Sequence, residues 1–184
     1  MSRITIPASI EASPEASQPL LRAVEKQLGA VPNLFRLAGV SPTALEGYLG
    51  LFGALGKGRL SAATRERVAL AVAEFNGCNY CLSAHTYLGA KLAKLDAVEI
   101  AANRAGHSND AKADAAVRFA LEVANRRGRV SSDDLRAVRD AGYDDAQIIE
   151  IVQHVALNVW TNYLNEVAQT DIDFPVVEAS KRAA

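Results

Sequence analysis

TRERVALAVAEFNGCNYCLSAH, residues 64–85, holds two helices and the break between them. The run VALAVA (68–73) has no polar stripe, so water owns neither face and the helix that carries it is internal. Gly77 stops that helix, and Cys78 opens the next. Ser61 supplies an N-cap upstream, so the spacing predicts helices over 62–76 and 79–91.

Outward from this pair the pattern stays helical. The six prolines stand at 7, 14, 19, 32, 42 and 175, leaving residues 43–174 without one, and the chain has 34 alanines. Proline is the strongest helix breaker and alanine the best helix former. Further helices are expected over 15–28, 42–56, 97–105, 110–127, 132–140 and 145–168. Their start signals are Ser41-Pro42, a reciprocal capping box of Asp96 with Glu99, Ser131 or Ser132, and a second box of Asp144 with Gln147. Ile148, Ile151, Val152, Val155, Val159 and Trp160 give the last helix a wide apolar band, on which Asn158, Asn162, Tyr163 and Asn165 are placed to line a pocket or a subunit interface. No Val/Ile/Thr alternation between turn dipeptides argues for a sheet. The fold expected is all-α, a bundle of about seven to eight helices. Residues 1–40 read as an N-terminal arm with one short helix, 41–175 as the core, and 176–184 as a tail that frays.

Composition narrows the function. The 184 residues suffice for one domain that buries roughly two-thirds of its unfolded surface. Twenty Lys plus Arg against 21 Asp plus Glu leave a net charge of −1, without the basic excess of a nucleic-acid binder. The longest apolar run is about six residues where a membrane span needs about 20. The opening MSRITIPASIEASPEA lacks a secretory apolar core, so a cytoplasmic location is expected. Two cysteines three residues apart exclude a disulfide scaffold but not local thiol chemistry.

Cys78, Cys81 and His85 stand at i, i+3 and i+7, within about 60° of one helix face. Cys78 falls at a helix N-terminus, where free N–H groups and the positive end of the dipole stabilise a thiolate. His85 can exchange a proton beside the sulfur. Two carboxylates precede the pair, Glu66 and Glu74. If the helices pack antiparallel, the first turn of the internal helix lies beside His85, which favours Glu66; Glu74 falls near the Gly77 hinge. His154, between Val152 and Val155, reads as a core or pocket-edge histidine rather than a catalyst.

Glu66, eleven residues, then Cys78-x-x-Cys81-x-x-x-His85 resembles the AhpD-like alkylhydroperoxidase branch of the carboxymuconolactone decarboxylase superfamily. VPNLFR (31–36), SPTALEGYLGLFGAL (41–55) and NEVAQTDIDFP (165–175) are similar to its peroxidase-related members. The resemblance implies an AhpD-like helical bundle, a homotrimer or homohexamer, and a thiol-dependent peroxidase for organic hydroperoxides or hydrogen peroxide. It implies that Cys81 is peroxidatic, that Cys78 is proton donor and resolving thiol, and that Glu66 and His85 form the proton relay. Family members often carry a second histidine just before the second cysteine, where Tyr80 stands here. No permanently bound cofactor or metal is implied; a lipoamide-like dithiol or a reductase protein would reset the disulfide.

Three other readings of the same residues compete. A structural zinc site wants four ligands, and the cluster offers three plus a glutamate. A general disulfide oxidoreductase, or a redox-sensing helical module, would use the same cysteine pair, although the thioredoxin type requires a βαβ context. The thiols could also be inert and simply buried.

Overall fold

The computed structural model describes residues 2–180, and over these it contains helices and no strand. A 3-10 turn at Glu15–Ser17 leads into α1 (Gln18–Leu28), followed by α2 (Asn33–Ala38), α3 (Pro42–Gly56), α4 (Ala62–Asn76) and α5 (Asn79–Lys91). Then come α6 (Ala97–Arg104), α7 (Ala111–Asn125), α8 (Ser132–Asp140) and α9 (Asp145–Ala168). That is one helix more than the sequence reading lays out. The addition is α2, six residues behind an extended Pro32, too short for a helical period to stand out.

α4 is the axis, packing on α5, α6, α7 and α9. It lies between two apolar clusters and serves both. Leu70 and Ala73 face the cluster of Ile10, Leu21, Phe35, Leu45 and Leu157, whereas Val68 and Val72 face Phe119, Val138, Ile148 and Ile151. VALAVA has no polar stripe for this reason, and each fully buried Val or Leu contributes about 1.5–3 kcal/mol. The N-terminal arm takes part in the first cluster through Ile10, Leu21, Val24, Leu34 and Phe35.

Helix starts follow local chemistry. Ser41 and Ser61 accept from Ala44 N and Thr64 N at 3.4 and 3.1 Å. Asp144 and Gln147 close their reciprocal box, and Ser131 caps α8 in a second one with Asp134. The box expected of Asp96 and Glu99 is only half made. Asp96 accepts from Glu99 N at 2.7 Å, but the Glu99 carboxylate turns inward to Arg67 at 2.6 Å and to Ser108 and Asn109. A buried guanidinium competes better for that carboxylate than one exposed N–H does.

The fraying expected over 176–184 falls partly on 181–184, outside the described residues. The portion before them is tied down. Val177 N donates to Ser83 Oγ at 2.9 Å, Ala179 N to Asn79 Oδ1 at 2.8 Å, and Ser180 N to Glu74 Oε1 at 2.6 Å. A strap of chain therefore crosses the start of α5.

Removing Glu99 leaves Arg67 charged and largely buried, so Glu99→Ala should lower unfolding stability by about 3 kcal/mol in urea titration. The Glu99 pKa, pushed up by burial but brought down by Ser108, Asn103, Asn109 and Arg67, falls from 4.5 to about 2. Its contribution is complete above pH 4.5 and is lost as pH falls toward 2, so the gap between wild type and variant should narrow over that window.

Candidate active site

Gly77 holds a left-handed φ of 70° as the C-cap of α4, a conformation that costs glycine little and a side chain more. Cys78 follows as the N-cap of α5, so the chain reverses and α5 runs back along α4. The reversal brings the first turn of α4 to the second half of α5. His85 Nδ1 lies 2.9 Å from Glu66 Oε2, as the antiparallel reading requires, and both side chains keep about a fifth of their surface in solvent (22% and 21%).

The sulfurs are deeper, Cys78 fully enclosed and Cys81 3% exposed. Both are free thiols. Cys81 N donates to Cys78 Sγ at 3.3 Å, and Asn165 Nδ2 of α9 donates to Cys81 Sγ at 3.3 Å. The electrostatics separate the two. Burial pushes the Cys81 thiol up, but hydrogen bonding from Cys78, the charge of His85, and the Asn165 and Asn162 carboxamides outweigh it, so its pKa is lowered. Hydrogen bonding to Cys81, then burial, pushes the Cys78 thiol far up. The helix-terminus argument favours a thiolate at Cys78; in the folded chain the shifts run the other way, with Cys78 moved toward the protonated thiol and Cys81 toward the thiolate. Burial alone would lower the pKa of His85, but the Glu66 carboxylate and then Cys81 raise it. Glu66 and Cys81 thus both favour the charged form of His85, and His85 in turn favours that of Cys81.

The remaining candidates lie elsewhere. The Tyr80 hydroxyl accepts from Leu34 N at 3.1 Å and its ring meets Phe174 edge-on, so it ties α2 to the C-terminal strap. Glu74 pairs with Arg104 at 2.7 Å and accepts from Ser180 N, which anchors the same strap. His154 is buried on α9, and its Nε2 has no hydrogen bond among the described residues. Burial, then the charge of Arg65, brings its pKa down to about 4, so it is neutral near pH 7.

The sequence reading held Asn162 and Asn165 only as lining, and passed over Tyr48. Tyr48 is buried on α3, stacked on Trp160 with ring centroids 5.1 Å apart and tilted against Phe35. Its pKa is raised by burial and then by the charges of Cys81 and Glu66. One tyrosine in a glycine-rich helix carries no spacing signal that could have marked it. Among the described residues, no three or more His, Cys, Asp or Glu side chains converge as ligands for one metal ion.

Residues 42–126 match the carboxymuconolactone decarboxylase family. Among solved structures, the chain is similar to a peroxidase-related protein with an alkylhydroperoxidase AhpD core from Ralstonia eutropha JMP134. The two share 22% identity and a TM-score of 0.83 over 94% of this chain and 92% of that one. A peroxidase-related protein from Silicibacter sp. TM1040 aligns over 92% of this chain and 91% of its own at 22% identity, with a TM-score of 0.79. The debrominase Bmp8 aligns over 92% of each chain at 20% identity, with a TM-score of 0.76. Comparison with curated proteins finds no match.

Glu66→Gln removes the charge that opposes the burial of His85. The imidazole should then titrate at lower pH than in the wild type when followed by NMR, and Cys81 should lose thiolate at neutral pH.

Proposed function

Because the chain carries a carboxymuconolactone decarboxylase family domain on an AhpD-like fold, we propose that it is a thiol-dependent peroxidase that reduces organic hydroperoxides or hydrogen peroxide. The observation that supports this reading is the single arrangement of Cys81, Cys78, His85 and Glu66. A buried thiol whose pKa is lowered lies one helical turn from a second thiol whose pKa is raised, and beside a carboxylate-supported imidazole.

The Cys81 thiolate attacks the terminal oxygen of the hydroperoxide, and the O–O bond breaks. Cys81 becomes a sulfenic acid, and the departing alkoxide takes a proton from the His85 imidazolium. Glu66 holds that imidazole in position and favours its charged form. Cys78 then attacks the Cys81 sulfur, its own proton leaves with the sulfenic oxygen as water, and a disulfide remains. A small dithiol such as dihydrolipoamide, or a reductase protein, reduces the disulfide by exchange and is itself oxidised. The cycle suits a reducing, cytoplasmic setting, and it requires no resident metal or organic cofactor.

We extend the reading to self-association. On α9, Ile149, Val152, Trp160, Tyr163 and Val167 form an exposed apolar stripe along the whole helix. Among the described residues no helix is long and apolar enough to cross a membrane. A second copy of the chain, in a trimer or hexamer, fits such a stripe better than water does.

Purified protein supplied with cumene hydroperoxide and dihydrolipoamide should consume peroxide through many turnovers. Cys81→Ser should abolish this, and His85→Gln should slow it by about 100-fold, the usual worth of a positioned acid. A protein that oxidises once and stops under the same conditions is a redox sensor and overturns the peroxidase reading. In sedimentation, Tyr163→Asp should shift the protein toward a single copy.

A further inference from the structure

α9 presents two carboxamides to Cys81, and each has one atom left over. Asn162 is fully buried and Asn165 is 2% exposed. Asn76 Nδ2 donates to Asn162 Oδ1 at 2.8 Å, which fixes the orientation of that amide. Asn162 Nδ2 and Asn165 Oδ1 make no hydrogen bond among the described residues. Asn165 Nδ2 is occupied with the Cys81 sulfur. Buried polar atoms without partners are costly, and two of them beside a reactive sulfur are unusual in a well-packed core.

We propose that Asn162 and Asn165 form the receiving site for the oxygen atom transferred to Cys81. The inference rests on the peroxidase reading and gives it a third functional element. An unused donor and an unused acceptor match what a sulfenic acid offers, an S–O–H group that both donates and accepts. Before oxidation Asn165 stabilises the sulfur anion through its N–H. As the O–O bond breaks, the oxygen arriving on Cys81 meets the Asn162 N–H as acceptor and the Asn165 carbonyl as donor. The leaving alkoxide takes its proton from His85 on the opposite side of the balance: one S–O bond forms, one O–O bond breaks, and sulfur loses the two electrons that peroxide gains. Asn165, which touches the reacting sulfur, is a catalytic residue; Asn162 positions the product oxygen.

The ionisable groups that act on the two sulfurs are Tyr48 from α3, Tyr80 and His85 from α5, each cysteine on the other, and Glu166 from α9, with Glu66 of α4 acting through His85. None of them is altered by a change at 162 or 165, so the carboxamides can be tested alone.

The test uses the full chain with Cys78→Ser, in which the sulfenic acid cannot be resolved internally. Cys81 alkylation by iodoacetamide is followed against pH, and sulfenic acid lifetime is followed by dimedone trapping after one equivalent of cumene hydroperoxide. Asn165→Leu should displace the alkylation profile to higher pH and lower the reactive fraction at neutral pH by about tenfold, the size of one charge-assisted hydrogen bond. The isosteric Asn165→Asp should displace it further and serves if the leucine variant does not fold. Asn162→Leu should displace the alkylation profile less than Asn165→Leu does, yet shorten the sulfenic acid lifetime by about tenfold. Equal lifetimes in parent and variants, with the parent oxidised normally, overturn this inference and leave the peroxidase reading standing. A parent whose Cys81 is alkylated readily but never oxidised by peroxide overturns the peroxidase reading itself.

Discussion

The reversal of the chain at Gly77, which lays α5 back along α4, is the constraint on which the rest depends. Glu66 lies eleven residues before the turn and His85 eight after it, about 16 and 12 Å of helix respectively. They meet only because the two helices are antiparallel and in register. The left-handed conformation at Gly77 sets the angle of return, and Cys78 takes over at once as the cap of the new helix. A carboxylate, an imidazole and two sulfurs are brought together by one tight turn.

That turn acts on charges in a dry place. Burial opposes ionisation of Cys81 and of His85 taken singly. Together each supplies the opposite charge the other lacks, and Glu66 tips the imidazole toward its cation. Such mutual support works because the surrounding dielectric is low, where the cost of isolated charge and the value of paired charge both rise. The cost of holding polar groups inside is visible in α9, whose Asn162 and Asn165 are buried without using all their hydrogen-bonding capacity.

The chain ends pack against the apolar cluster that holds both cysteines. The strap that precedes residue 181 is held by Asn79 and Ser83 on α5 and by Glu74 on α4, and Tyr80 reaches from the same helix to α2 and Phe174. The cysteine turn therefore has two faces. One is crossed by the C-terminal strap, and the other, toward His85 and Glu66, retains contact with solvent.

The amino-acid sequence by itself determined every helix but α2, because capping residues, glycines and the placing of proline are local signals that act within one or two turns. It also determined the thiol pair and His85, since residues on one helix keep a fixed angular relation whatever surrounds them. Choosing Glu66 over Glu74 needed only one assumption about packing, which the fold satisfies at 2.9 Å. Tertiary structure alone decided what depends on distant segments meeting. It turned Glu74 and Tyr80 toward the strap, diverted Glu99 from its cap to Arg67, and lowered the pKa of Cys81 rather than that of the thiol at the helix end. It also brought Tyr48 and two asparagines, 33 residues before and more than 80 after it, toward the same sulfur. Those outcomes are settled by competition among partners brought close in space, and no spacing along the chain records which partner wins.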